Sequence, residues 1–185
     1  MSNPLDPHRI VAGSQFGWAP EKLSFDTVHE LFWQRVAELG DQPMMRQKDL
    51  GIWRAYSWKD VGVLASEIGA GLVSLGFEPG EVVSVLANTS REWVWTDLAV
   101  LSVGGICNGI YPTDAASQVH YLCSDSRSAY LFVENDEQLD KYLEVRDSLP
   151  DLRQVVVYDM EGLAGLNDPR VISLERLREI GREHL

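Results

Sequence analysis

From Glu81 to Tyr158 apolar runs of five to seven residues alternate with amphipathic stretches of helical period, and this alternation constrains the fold more than any other feature. Glu81 to Ala87, Ile106 to Tyr111, Ala129 to Glu134 and Leu152 to Tyr158 read as strands. The segments from Ser90 to Val103, Asp114 to Ser124 and Asp136 to Ser148 read as the helices between them. Parallel neighbours cannot be joined by a tight turn, so strands separated by helices imply right-handed crossovers and a mainly parallel sheet. The expected fold class is α/β, with helices flanking the sheet.

Upstream, Thr27 and Glu30 have capping-box spacing ahead of a stripe of Val28, Leu31, Phe32, Val36 and Leu39, closed by Gly40. Pro43 to Lys48 and Ile52 to Tyr56 read as an N-terminal β-hairpin across Asp49-Leu50-Gly51. Ser57 caps a second helix whose Val61, Leu64, Ala65, Ile68, Leu72 and Leu75 share a face. Its Gly62, Gly69 and Gly71 each weaken it by up to about 1 kcal/mol relative to Ala, and close packing against a sheet is the expected justification. A Gly-rich loop, Gly162 to Pro169, leads to a last helix capped by Ser173 and carrying Leu174, Leu177 and Ile180. Residues 1–24 show no period and form a lead segment before a single unit over 25–185.

A chain of 185 residues with 16 Lys and Arg against 28 Asp and Glu carries a net charge of −12, which opposes the counterion release that drives nucleic-acid binding. The opening MSNPLDPHRI is unlike a signal peptide, and Asp97 and Asn108 interrupt the apolar run from Trp93 to Ile110. An Asp centred in a membrane span would cost about 2.5–3.5 kcal/mol. Cys107 and Cys123 lack metal or disulfide spacing. The expectation is a soluble cytoplasmic chain.

Few residues invite chemistry. Gly104 and Gly105 lie where a helix ends and a strand begins, the opposite of a phosphate-binding turn, so they read as a C-cap and a close contact; ligand contact through Asn108 or Thr113 stays open. Asn88-Thr89-Ser90 is better placed, between a strand and a helix at the carboxyl end of the sheet, but an N-cap explains Ser90 without a ligand. Trp93 and Trp95, two apart on a helix, face different ways, one towards the core and one towards a neighbouring element. His8, His29, His120 and His184 have no ligand spacing. Ser14 in Gly-Ser-Gln-Phe-Gly is misplaced for a nucleophile elbow. Glu134, Asp136 and Glu137 follow a strand and read either as a cation site or as acids at a helix start. No catalytic or metal-binding residue is assigned, and the cofactor-binding residues are left unknown.

The run NTSREWVWTDLAVLSVGGICNGIYPTDAASQVHYLCSDSRSAYLFVENDEQLDKYLE resembles the N-terminal portion of long-chain fatty acid-CoA ligases, in the adenylate-forming, AMP-binding superfamily. Asn88, Glu92-Trp93, Asp97, Gly104-Gly105, Gly109, Tyr111 with Thr113, and Gln138-Leu139-Asp140-Lys141 carry the match, with YSWKDV and GLVSLGFEPGEVVSVLAN upstream. The resemblance implies acid activation by ATP with Mg²⁺, through acyl-AMP, followed by transfer to coenzyme A. It implies fatty acid, ATP and CoA as partners of the complete enzyme, contact with its remaining subdomains, and a role in lipid metabolism. The family's phosphate loop, acyl tunnel and catalytic lysine match nothing in this sequence, so the expectation is a scaffold portion, inactive and without tight cofactor binding by itself. A noncatalytic binding or regulatory module and another acid-activating ligase are the alternatives. Self-association is expected of the faces that would meet the other subdomains, and peripheral membrane contact stays open.

Overall fold

Five of the six α-helices among the described residues begin where a short polar side chain takes up a free first-turn amide, and the fourth begins after Ala115 without one. The structure, a computed structural model, describes residues 25–185. The lead segment, with His8 and Ser14, lies outside the described residues.

Thr27 caps α1 (Val28–Leu39) and Glu30 bonds back to the Thr27 amide, completing the capping box. Ser57 and Asp60 do the same for α2 (Trp58–Ser74). Ser90 caps α3 (Arg91–Ser102), and Ser173 caps α6 (Leu174–His184). Between the last two lie α4 (Ala116–Asp125) and α5 (Asp136–Val145).

The strands β1 (Pro43–Asp49) and β2 (Ile52–Ser57) pair antiparallel as the expected hairpin. The turn is two residues, not three, because Asp49 pairs with Ile52 and only Leu50 (φ 47°) and Gly51 (φ 86°) turn the chain. The other strands are β3 (Val82–Leu86), β4 (Ile106–Ile110), β5 (Ser128–Val133), β6 (Gln154–Val157) and β7 (Val171–Ser173). They form one parallel sheet in the order β4-β3-β5-β6-β7.

One strand was not read from the sequence and one helix ends earlier than expected. β7 is only three residues long, too short to show a period, and it exists because it pairs beside β6. The helix expected to reach Ser148 leaves α-geometry at Arg146 for a 3₁₀ turn that lets Leu149 and Leu152 into the core.

Side chains alternate through the sheet as a period of two requires. Val83, Val85, Tyr130, Phe132 and Val156 face α2, α3 and α6, while Leu86, Leu131, Val133, Val155 and Val157 face the α4 and α5 side. Both faces are therefore covered, as parallel sheets demand. The glycines of α2 serve helices, not the sheet as expected. A Cβ on Gly62 would lie 2.9 Å from Val36 of α1, on Gly69 2.9 Å from Val103 just past α3, and on Gly71 2.4 Å from the Leu177 carbonyl oxygen of α6. Helix α6 is held there also by buried Glu67, which accepts from Arg178 and Arg182.

Candidate functional site

The order β4-β3-β5 means that the chain adds β4 on one side of β3 and then crosses to add β5 on the other. Open α/β sheets bind ligands at the carboxyl ends of the strands where this reversal occurs. A crevice of about 430 Å³ lies there, lined by Ser90 and Arg91 after β3, Glu134 and Asn135 after β5, and Asp159 after β6. A second cleft of about 490 Å³ opens beyond β3 and β4, between Asn88, Trp93, Tyr111 and Thr113.

A phosphate at the crevice would need free amides at the start of α3. The protein already uses two of those amides, and one more in the loop before them. Ser90 Oγ accepts from the Trp93 amide at 3.2 Å, and Gln47 Oε1, reaching over from β1, accepts from the Arg91 amide at 3.0 Å. Glu134 Oε2 accepts from both the amide and the side-chain nitrogen of Asn88, at 2.7 and 2.8 Å. The lining adds the carboxylates of Glu92, Glu134 and Asp159, whose charge repels phosphate.

Arg91 is the cation of the crevice, and it too is engaged. Its guanidinium donates to Tyr56 Oη at 2.7 Å, pairs with Glu92, and lies 5.6 and 5.7 Å from the ring centres of Tyr56 and Trp95. Burial alone would lower its pKa; the hydrogen bond and charge of Glu92, with Tyr56, outweigh it and raise the pKa. Arg91 thus clamps the hairpin onto α3 instead of waiting for an anion.

The other candidates have structural partners as well. Gly104 has φ 79°, as a helix stop requires, and a Cβ on Gly105 would lie 2.5 Å from Phe77 and 2.8 Å from Val100, so both glycines serve packing. Asn108 donates to Ser84 Oγ at 2.9 Å across the β3–β4 pair, and Thr113 is exposed at the mouth of the second cleft. Trp95 is in the core, whereas Trp93 packs over Gly109 and lines that cleft. The cap of α5 is Asn135, Asp136 accepts from the Glu137 amide, and Glu134 is turned away towards Asn88. Among the described residues His29 and His120 bond near neighbours, Thr27 and Ser124, and His184 is exposed. Among the described residues no three His, Cys, Asp or Glu side chains gather as a metal set. Burial, with Asp97 beside it, pushes the Cys107 thiol up to about 12, and burial pushes Cys123 up to about 11.

Lys141 of α5 reaches the Pro112 carbonyl oxygen and Gln138 Oε1, joining the Gln-Leu-Asp-Lys segment to the Tyr-Pro-Thr loop. Asn88, Glu92, Trp93, Gln138 and Lys141 therefore all hold the loops at the carboxyl edge of the sheet, while Gly105 packs at its amino edge. Sequence reasoning missed Gln47, Arg91 and the long-range role of Glu134; the position of Glu134 directly after a strand was the one available signal.

The fold and this self-satisfied edge define a doubly wound α/β wall, braced at one rim and, among the described residues, without an assembled reactive group. Comparison with known proteins gives that wall a family. The family model described as AMP-binding enzyme matches residues 32–173, and the chain belongs to that family. It is 32% identical over 157 residues to the long-chain-fatty-acid–CoA ligase ACSBG1 of Bos taurus, covering 85% of this chain and 21% of the relative. It is 33% identical over 135 residues to ACSBG2 of Xenopus laevis, covering 73% of this chain and 18% of the relative. The chain thus spans about a fifth of the length of these relatives. In fold it is similar to the adenylation domain of a carboxylate reductase from Mycobacterium chelonae, with TM-score 0.75 and 18% identity over 88% of this chain and 30% of that one. An anthranilate CoA ligase in complex with anthranoyl-AMP gives TM-score 0.71 and 22% identity, over 84% and 28% of the two chains.

Proposed function

We propose that this chain is the N-terminal supporting wall of a long-chain fatty acid–CoA ligase. In the complete enzyme, fatty acid, ATP with Mg²⁺ and coenzyme A would meet beyond its carboxyl edge. The observation that carries the reading is the occupied start of α3, with the Asn88, Arg91 and Trp93 amides already held by Glu134, Gln47 and Ser90. That start therefore offers a triphosphate none of these donors, and the carboxylates around it do not fit a nucleotide. The wall's own work is positional. Arg91 fixes the hairpin, Lys141 fixes the Tyr111-Pro112-Thr113 loop, and neither is free for chemistry.

Fatty-acid-dependent exchange of pyrophosphate into ATP tests this directly, because it reports acyl-AMP formation without coenzyme A. The purified 185-residue chain is expected to give no exchange above a protein-free blank, with a full-length ligase run alongside to set the detection floor. Exchange dependent on the chain and abolished by omitting the fatty acid would refute the proposal.

A further inference from the structure

The tip of the β1–β2 hairpin combines features that the fold does not need. Leu50 is 98% exposed, Ile52 68% and Trp53 66%, three apolar side chains within four residues of the turn region left in water. Leu50 also sits at φ 47°, a left-handed position of a two-residue turn where Asn, Asp or Gly is favoured and Leu is strained. Neither packing nor turn chemistry asks for Leu there.

Charge on the hairpin is sorted by face. Directly paired residues of antiparallel strands project to the same side. Lys48 pairs with Trp53 and Arg46 with Ala55, so Arg46, Lys48 and Trp53 share one face, and all three are exposed. The opposite face carries Gln47 and Tyr56, which bond Arg91 of the body, and Asp49, which pairs with Arg54 at 3.3 Å. The outward face thus has two cations, a tryptophan and no acid, on a chain whose net charge is −12.

We propose that this tip is a contact for anionic phospholipid surfaces, with Leu50 at the turn and Trp53 entering the headgroup region while Arg46 and Lys48 meet lipid charge. An amphipathic tryptophan beside cations suits that interface. The negative body does not forbid the contact. Leu50 lies three residues beyond Gln47, the last residue that bonds α3, which at about 3.4 Å per residue puts the tip roughly 10 Å out. That is close to the Debye length of about 8 Å at physiological salt, so the repulsion of the body is largely screened at the membrane. The proposal stands on the hairpin alone and does not depend on the reaction proposed above.

Sedimentation of the 185-residue chain with vesicles tests it, comparing pure phosphatidylcholine with an equimolar mixture of phosphatidylcholine and phosphatidylserine. Binding to the anionic vesicles alone, weakened by salt, is expected. Leu50→Asn and Trp53→Ser are each expected to weaken it by about tenfold or more, the scale of one apolar side chain returned to water. Lys48→Gln is expected to weaken it about fivefold. Leu50→Asn is the control for folding, because Asn suits the left-handed turn and should keep or raise the melting temperature while binding falls. Equal binding to both vesicle types, no binding at low salt, or unchanged binding by Leu50→Asn and Trp53→Ser would overturn the proposal. So would dimerisation through the tip, lost in Leu50→Asn, with no vesicle binding.

Discussion

Replacing Gly181 by alanine should destabilise the protein even though it improves the helix that contains it. Helix propensity favours the change by about 1 kcal/mol. Against that, a Cβ at position 181 would lie 1.8 Å from the Glu67 carbonyl oxygen, 2.7 Å from its carbon and 2.9 Å from the Gly71 nitrogen. All three are main-chain atoms of α2, so no rotamer relieves the overlap, and α6 must lift away. Lifting exposes Leu174 and Leu177, 7% and 0% exposed in the native fold, at about 1.5–3 kcal/mol each. The loss of about 3–6 kcal/mol exceeds the propensity gain, leaving a net destabilisation of about 2–5 kcal/mol. For a domain of this size the melting temperature should fall by about 5 °C or more. Urea unfolding followed by circular dichroism measures it, with Gly165→Ala as the neutral control, since a Cβ there meets nothing within 4 Å. A Gly181→Ala protein as stable as the parent, or more stable, would refute the claim that α6 docks backbone to backbone on α2.

Two further outcomes follow from the titratable groups. Burial raises both thiols, Cys107 to about 12 and Cys123 to about 11, so Ellman's reagent near the ordinary thiol pKa of about 8.5 should label neither in the folded protein and both in urea; rapid native labelling would contradict their placement. The carboxyl of Asp60 is lowered by the Ser57 amide and hydroxyl, and that of Glu175 by its hydrogen bond from Arg182 against burial. A lowered folded pKa gives stability present above the ordinary carboxylate range and lost as pH falls through the folded value. The urea midpoint should therefore hold from neutrality to about pH 5 and decline below about pH 4, less steeply in Asp60→Asn; an unchanged slope in that variant would remove Asp60 from the account.

What was legible in the sequence was local. Thr27, Ser57, Ser90 and Ser173 are caps because a hydroxyl needs only the next three residues to do that work, and all four cap helices in the structure. The parallel sheet was legible because its strands are apolar on both faces. β7 was not, since three residues paired only to β6 carry no period of their own. Val28, expected on the buried stripe of α1, is 64% exposed, because only Phe32 of that helix is fully covered. The site divides in the same way. That Gly104-Gly105 was scaffold could be read from the direction of the chain. The bracing of Asn88 by Glu134, 46 residues on, and of Arg91 by Gln47, 44 residues back, depends on three-dimensional register that no local pattern encodes.

The docking of α6 on α2 also sets an order of events during synthesis. Ser74, the last residue of α2, and Leu174, the first of α6, are 100 positions apart (174 − 74). At about 5–20 residues per second, roughly 5–20 s pass after α2 emerges before the helix that shuts its glycine face exists. Throughout that interval the nascent chain presents an unfilled slot beside Gly71, a standing invitation to chaperones or to any passing helix with small residues on one side.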